Sequence, residues 1–207
     1  MRPLPRLHAI TTDAICRGAD FGIQAAAIAA AGSGVALHAR APESTAAQLS
    51  VFAARLVALA RPAEAAVIVS GRPDLARAVQ AQGVQLRAGD IPVADARAVL
   101  GPGWIGRSVH SAAEAEAAVA EGADYLVVGT IFASSSHAGQ AAAGLEMIRQ
   151  TAALGLPVIA IGGMTPERAG EAIAAGAWGV ATISALWLAE DPHAAAVAML
   201  EAVSGER

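Results

Sequence analysis

The chain has 207 residues, enough for one domain with a large core, and a formal charge of −4 from 14 basic and 18 acidic residues. No basic stripe marks a nucleic-acid surface, and the single cysteine, Cys16, excludes a disulfide scaffold and a cysteine-built zinc site. Mean hydropathy is +0.49, yet no apolar run reaches the roughly 18–20 residues of a spanning helix and the first six residues lack a secretory h-region, so a cytoplasmic protein without membrane contact is expected.

Short strand-like runs alternate with longer alanine-rich helical runs. The strands are expected at residues 7–11, 35–39, 66–70, 83–86, 104–108, 124–129, 157–161 and 178–183. Helices are expected to begin near Asp20, Ser44, Pro73, Pro92, Ser111, Ala143, Pro166 and Asp191. Proline near the first helical position is a start signal, and Ser111 with Glu114 has the spacing of a capping box. Eight strand–helix units in about 200 residues predict a single (β/α)8 TIM barrel over residues 1–207. An open doubly wound sheet is the weaker alternative, because no glycine-rich nucleotide loop follows the first strand.

The segment 157–184 carries the strongest chemical signal. Val158-Ile159-Ala160-Ile161 leads into Gly162-Gly163, then Thr165-Pro166 opens a helix, and the next strand runs into Ile183-Ser184. Loops after the last two strands of such a barrel form the usual phosphate site, with backbone N–H groups turned to the anion. Gly162, Gly163, Ile183 and Ser184 are therefore the expected phosphate-binding residues.

Four runs occur in order: Leu7-His8-Ala9-Ile10-Thr11, Gly106-Arg107-Ser108-Val109-His110-Ser111, Ala123-Asp124-Tyr125 through Phe132, and Ile161-Gly162-Gly163-Met164-Thr165-Pro166. Together they resemble the thiamine phosphate synthase / thiazole tautomerase superfamily, over about residues 7–199. The Gly-Arg-Ser-Val-His-Ser run is more similar to the tautomerase branch. The resemblance implies a thiazole phosphate seated on the Gly-Gly loop and on the loop after the last strand.

The synthase branch joins a thiazole phosphate to a pyrimidine pyrophosphate with magnesium. Its strand-two Gln-Leu-Arg-Glu-Lys run reads Ala36-Leu37-His38-Ala39-Arg40 here, and its Asn-Asp-Arg reads Ser70-Gly71-Arg72. One metal carboxylate is thereby lost, Asp90 remains as the second, and the lysine of the strand-six loop reads His137. In the tautomerase branch a histidine after strand six moves the proton; Thr130 stands there.

The expected activity is a thiazole tautomerase-like isomerase, with thiamine phosphate synthase and a non-catalytic phosphate-binding relative as alternatives. His137, His38 and His110 are the candidate catalytic bases, since imidazole exchanges protons near neutrality. His38 is placed at the barrel mouth by its position near the end of strand two, and His110 reads equally as a structural hydrogen-bonding group. Arg40, Thr130, Ser134 and Ser136 are the candidate substrate contacts. No cofactor is expected, and Mg²⁺ at Asp90 only for a synthase. The expected partner is a small thiazole phosphate; a homo-oligomer is left open.

Overall fold

The computed structural model describes residues 3–133 and 142–205. Eight parallel strands close into a barrel in sequence order: β1 Leu7–Ile10, β2 Val35–Ala39, β3 Ala66–Ser70, β4 Gly83–Leu86, β5 Trp104–Val109, β6 Tyr125–Val128, β7 Val158–Ile161 and β8 Gly179–Thr182. Closure runs through Leu7↔Val180, His8↔Ala181 and Ala9↔Thr182. The barrel expected from the alternating pattern is the one that forms.

The surrounding helices are α1 Asp13–Arg17, α2 Phe21–Ala29, α3 Ala46–Ala60, α4 Pro73–Ala78, α5 Val93–Leu100, α6 Ala112–Ala120, α7 Gly144–Ala152, α8 Pro166–Ala174, α9 Ser184–Trp187 and α10 Pro192–Ser204. Two of them, α1 and α9, escaped the sequence pattern because five and four residues are too few to show a helical period. Their start signals are nonetheless local: Thr12 caps α1 by accepting the Ile15 N–H. The box expected at Ser111 is half formed. Ser111 accepts from Glu114 N, but the Glu114 carboxylate turns back to His110 N at 2.7 Å. A complete box caps α3 instead, between Thr45 and Gln48.

Alternation along each strand divides the core in two. Leu37, Val67, Val69, Val84, Ile105, Leu126 and Val180 point outward into the alanine-rich helices, within one large apolar cluster. The inward faces supply a smaller cluster that includes Ile10, Ala36, Ile68, Trp104, Tyr125 and Ile159. His8, His38 and Gln85 are the buried polar residues among them. On β5 the alternation puts Ser108 inward, where it accepts from Gln85 Nε2 at 2.9 Å. Arg107 turns outward to Glu121. No helix among the described residues is long and apolar enough to cross a membrane.

Gly106 faces this interior, and a Cβ there would collide with Gln85 Oε1 and the Tyr125 ring. In α8, by contrast, a Cβ on Gly170 would meet nothing within 4 Å. Gly106→Ala should therefore destabilise by about 1–3 kcal/mol through overpacking. Gly170→Ala should stabilise by about 0.5–1 kcal/mol through helix propensity. Urea unfolding of both variants checks the pair; equal effects would contradict the interior placement of Gly106.

Candidate active site

The C-terminal strand ends form the mouth, and two different environments face each other across it. On the β7–β8 side, Ile161 pairs with Ala181, which brings the Gly162-Gly163 loop level with Ile183 and Ser184. Gly162 and Gly163 have φ of 110° and 61°, so the turn requires a residue without a Cβ. A Cβ on Gly163 would lie 2.5 Å from the Ala133 carbonyl oxygen. The loop after β6 is stitched to this turn: Ile131 N donates to Ile161 O and Phe132 N to Gly162 O. Arg168, in the first turn of α8, donates to the Gly163 carbonyl at 2.7 Å and stacks over Phe132 at 5.0 Å. That contact fixes the Gly163–Met164 peptide, and the Gly163 N–H, in the preceding peptide, meets no acceptor among the described residues. Thr165 caps α8, leaving the positive end of its dipole at the same spot.

On the β2–β4 side a cavity of about 270 Å³ is lined by Arg40, Ser70, Gly71, Arg72, Arg87 and Asp90, among others. Arg40 is anchored by its backbone, donating its N–H to Thr11 Oγ1 at 2.9 Å. Asp13 braces the same loop by accepting from Ser44 Oγ at 2.8 Å and from Glu43 N at 3.2 Å. Burial works to raise the Asp13 carboxyl, but the Ser44 and Glu43 hydrogen bonds outweigh it and the net shift is downward. Burial lowers the Arg40 guanidinium, and the like charge of Arg87 lowers it further. Arg72 is engaged with Asp74, with contacts of 2.8 and 2.5 Å. A larger cavity, about 580 Å³, lies at the opposite end of the barrel between residues such as Ser33, Gln80 and Gln82. It is remote from the strand ends that carry chemistry in this architecture.

Below the mouth, His8 and His38 form a hydrogen-bonded pair, Nδ1 to Nε2 at 2.8 Å, and His8 Nε2 reaches the Pro5 carbonyl at 3.0 Å. A carbonyl only accepts, so His8 Nε2 carries the proton and His8 Nδ1 accepts from His38 Nε2–H. His38 Nδ1 is then a bare acceptor. With Gln85 Oε1 and Tyr125 OH it is buried without a partner among the described residues. Burial raises the Tyr125 phenol and keeps it neutral.

These positions correct the expectation for His38. It lies within β2, fully buried, with Nε2 committed to His8, because alternation sends residue 38 to the barrel axis while Arg40 emerges two residues later. His110 is exposed; its Nδ1–H donates to the Gly129 carbonyl at 2.5 Å. Thr130 sits beside the Gly162 turn. Ser134, Ser136 and His137 lie outside the described residues. Asp90 is at the β2–β4 cavity, as Arg40 is. Arg87 and Arg168 were missed. The signal for Arg168 was its place in the first turn after a Gly-Gly loop; Arg87 stands two residues before an otherwise unremarkable Gly-Asp turn and gave none.

Residues 7–186 match the family described as thiamine monophosphate synthase. The chain is 38% identical over 197 residues to a thiamine-phosphate synthase of Chloroflexus aurantiacus, covering 92% of this chain and 89% of the relative. It is 42% identical over 183 residues to one of Moorella thermoacetica, covering 86% and 87%. A solved thiamine phosphate pyrophosphorylase from Pyrococcus furiosus superposes with a TM-score of 0.81 at 30% identity, covering 96% and 95%. These similarities overturn the expectation of a tautomerase-like isomerase in favour of the synthase alternative. The run that pointed to the isomerase has structural duties here: Arg107 faces outward to Glu121, and His110 holds the Gly129 carbonyl.

The Mg²⁺ that the synthase branch uses does not fit the residues present. Among the described residues Asp90 is the one carboxylate lining the cavity, beside three arginines. Its Oδ2 already accepts the Arg87 N–H at 2.8 Å, and its Oδ1 pairs with Arg87 Nη2 at 3.3 Å. Among the described residues no group of three or more His, Cys, Asp or Glu could hold a metal.

The histidine pair makes the fold acid-sensitive. Burial drives His8 from 6.5 down to about 4, and burial with the His8 neighbour drives His38 well below 6.5. Unfolded histidines protonate near the ordinary value. The unfolded chain therefore takes up protons that the folded chain refuses. The pair's contribution to stability is present above the ordinary histidine value and is lost progressively as pH falls below it, toward about 4 for His8. Urea unfolding between pH 7 and 5 measures this slope. His38→Asn should remove one proton's share of it, and a flat profile in the parent would contradict the buried neutral pair.

Proposed function

Because the chain belongs to the thiamine monophosphate synthase family, we propose that it is a thiamine-phosphate synthase, joining a thiazole phosphate to a pyrimidine diphosphate with release of pyrophosphate. The observation that carries the reading is the presence of two anion-suited places on opposite sides of one mouth. A condensation of two phosphorylated substrates needs both, whereas isomerisation of one monophosphate needs a single place. The Gly162-Gly163 turn with Ile183 and Ser184 suits the thiazole phosphate: backbone N–H groups, a helix N-terminus and no Cβ in the way. The Arg40, Arg72 and Arg87 guanidiniums suit the diphosphate.

In the reaction the pyrimidine carbon loses its bond to the diphosphate oxygen, gains one to the thiazole nitrogen, and the electron pair departs with pyrophosphate. Negative charge grows on the leaving group, so cations held at the β2–β4 strand ends favour the transition state over the bound substrate. The opposing Gly-Gly site positions the thiazole against the carbon. The position of Thr130 beside the Gly162 turn supports a contact with the thiazole end. His110 has its Nδ1 proton engaged with Gly129 and supports the loop rather than the chemistry.

Incubation with both substrates should yield thiamine phosphate and pyrophosphate in equal amounts, and neither substrate alone should yield product. Absence of thiamine phosphate under all metal conditions would sink the reading. Ser184→Ala should raise KM for the thiazole phosphate about tenfold, the value of one hydrogen bond to a charged group, and leave KM for the pyrimidine diphosphate unchanged.

A further inference from the structure

We infer that the β2–β4 cavity holds a diphosphate directly on arginine, with Arg87 and Arg40 taking the place of a carboxylate-bound divalent cation. The inference rests on the synthase reading for the identity of the anion, and on the local charge for everything else.

The charge arrangement is the main observation. Three guanidiniums line a cavity of about 270 Å³. Arg72 is satisfied by Asp74, in close two-point contact. Arg87 is held by Asp90 only loosely, at 3.3 and 3.5 Å, with more than half of its side chain open to solvent. Arg40 is partly buried, and its guanidinium has no hydrogen-bond partner among the described residues. Arg40 feels the like charge of Arg87, which the nearby Asp13 carboxylate offsets only in part. Two like charges crowded at the edge of a half-buried site are unfavourable unless an anion lies between them.

The same geometry works against a metal. Asp90 closes a turn: its Oδ2 accepts Arg87 N–H at 2.8 Å while its own N–H donates to the Arg87 carbonyl at 3.0 Å. Its carboxylate is turned toward the Arg87 backbone and guanidinium. Across from it stands Gly71, with φ of 70°, where a Cβ would already lie 3.2 Å from Asp90 Oδ2. The backbone there favours glycine and contributes no second carboxylate. A hard divalent cation needs oxygen ligands, several of them charged. The site offers instead planar forks of N–H donors, which match phosphate oxygens two at a time. Asp90 is thus a positioning residue for Arg87.

The test is calorimetric titration of the full chain with inorganic pyrophosphate, in EDTA and in excess Mg²⁺, with inorganic phosphate as a second arm. Pyrophosphate should bind in EDTA, at least tenfold more tightly than phosphate, and no more tightly with Mg²⁺ present. Arg87→Ala and Arg40→Ala should each weaken it by tenfold or more, and Arg87→Lys should recover part of the loss. Asp90→Asn removes a negative charge, so binding in EDTA should persist in that variant. Thermal melts of each variant confirm folding. Binding that appears only with Mg²⁺ and vanishes in Asp90→Asn would overturn the inference while leaving the synthase reading intact. Pyrophosphate binding in EDTA without any thiamine phosphate formation would leave the inference standing and remove the synthase reading.

Discussion

Everything at the mouth depends on closure of the barrel, and closure depends on a seam between the two ends of the chain. The Arg6 carbonyl accepts the Val180 N–H, Arg6 Nε donates to the Trp178 carbonyl at 2.8 Å, and Trp178 Nε1 donates to the Leu4 carbonyl at 3.0 Å. These bonds join residues more than 170 positions apart. Once β8 lies against β1, the strand ends of β2–β4 and of β7–β8 must face a common opening. Opposition of the arginine cavity and the Gly-Gly turn is a consequence of that ring, since no local feature of either segment refers to the other.

Closure also decides how the interior is filled. A barrel axis accepts few large residues, and this chain has few aromatics to offer. Trp104 and Tyr125 occupy it together with the His8–His38 pair and Gln85, and Gly106 makes the room. Burying imidazole is tolerable because the neutral ring donates once and accepts once, so a Pro5–His8–His38 chain satisfies three of the four ring nitrogens. The cost is acid sensitivity. Outside the barrel the opposite solution holds: alanine on the helices lets them lie close to the aliphatic outer faces of the strands, as in the large apolar cluster.

The chain has no lysine, and its arginines divide between structure and site. Arg97 donates to Gly103 O and Asp124, and Arg168 fixes the Gly163 carbonyl. Among the described residues, Arg40 and Arg87 line the β2–β4 mouth without a close two-point ion pair such as Arg72 makes with Asp74. A guanidinium stays protonated where an ammonium can lose its charge on burial, and its fork binds two phosphate oxygens with fixed geometry. Gly71 brings no carboxylate to Asp90, and Arg87 brings a cation to it instead.

The sequence by itself determined the architecture and the position of the Gly162-Gly163 turn at a strand end. Eight apolar runs separated by alanine-rich helices, three of them begun by proline, leave little choice but a barrel, and the Gly162-Gly163 turn is legible because glycine demand is written in single residues. The short helices α1 and α9 stayed hidden, since periodicity needs more length than they have. Side-chain direction and pairing were decided only by the tertiary structure. Residue 38 looked like a mouth residue from its place near a strand end, but one step of alternation and a partner 30 positions away, His8, put it in the core. Residue 87 looked like nothing until three strand ends brought Arg40, Gly71 and Asp90 around it. Charge that acts across strands has no signature along the chain, because its spacing is set by the ring and not by the sequence.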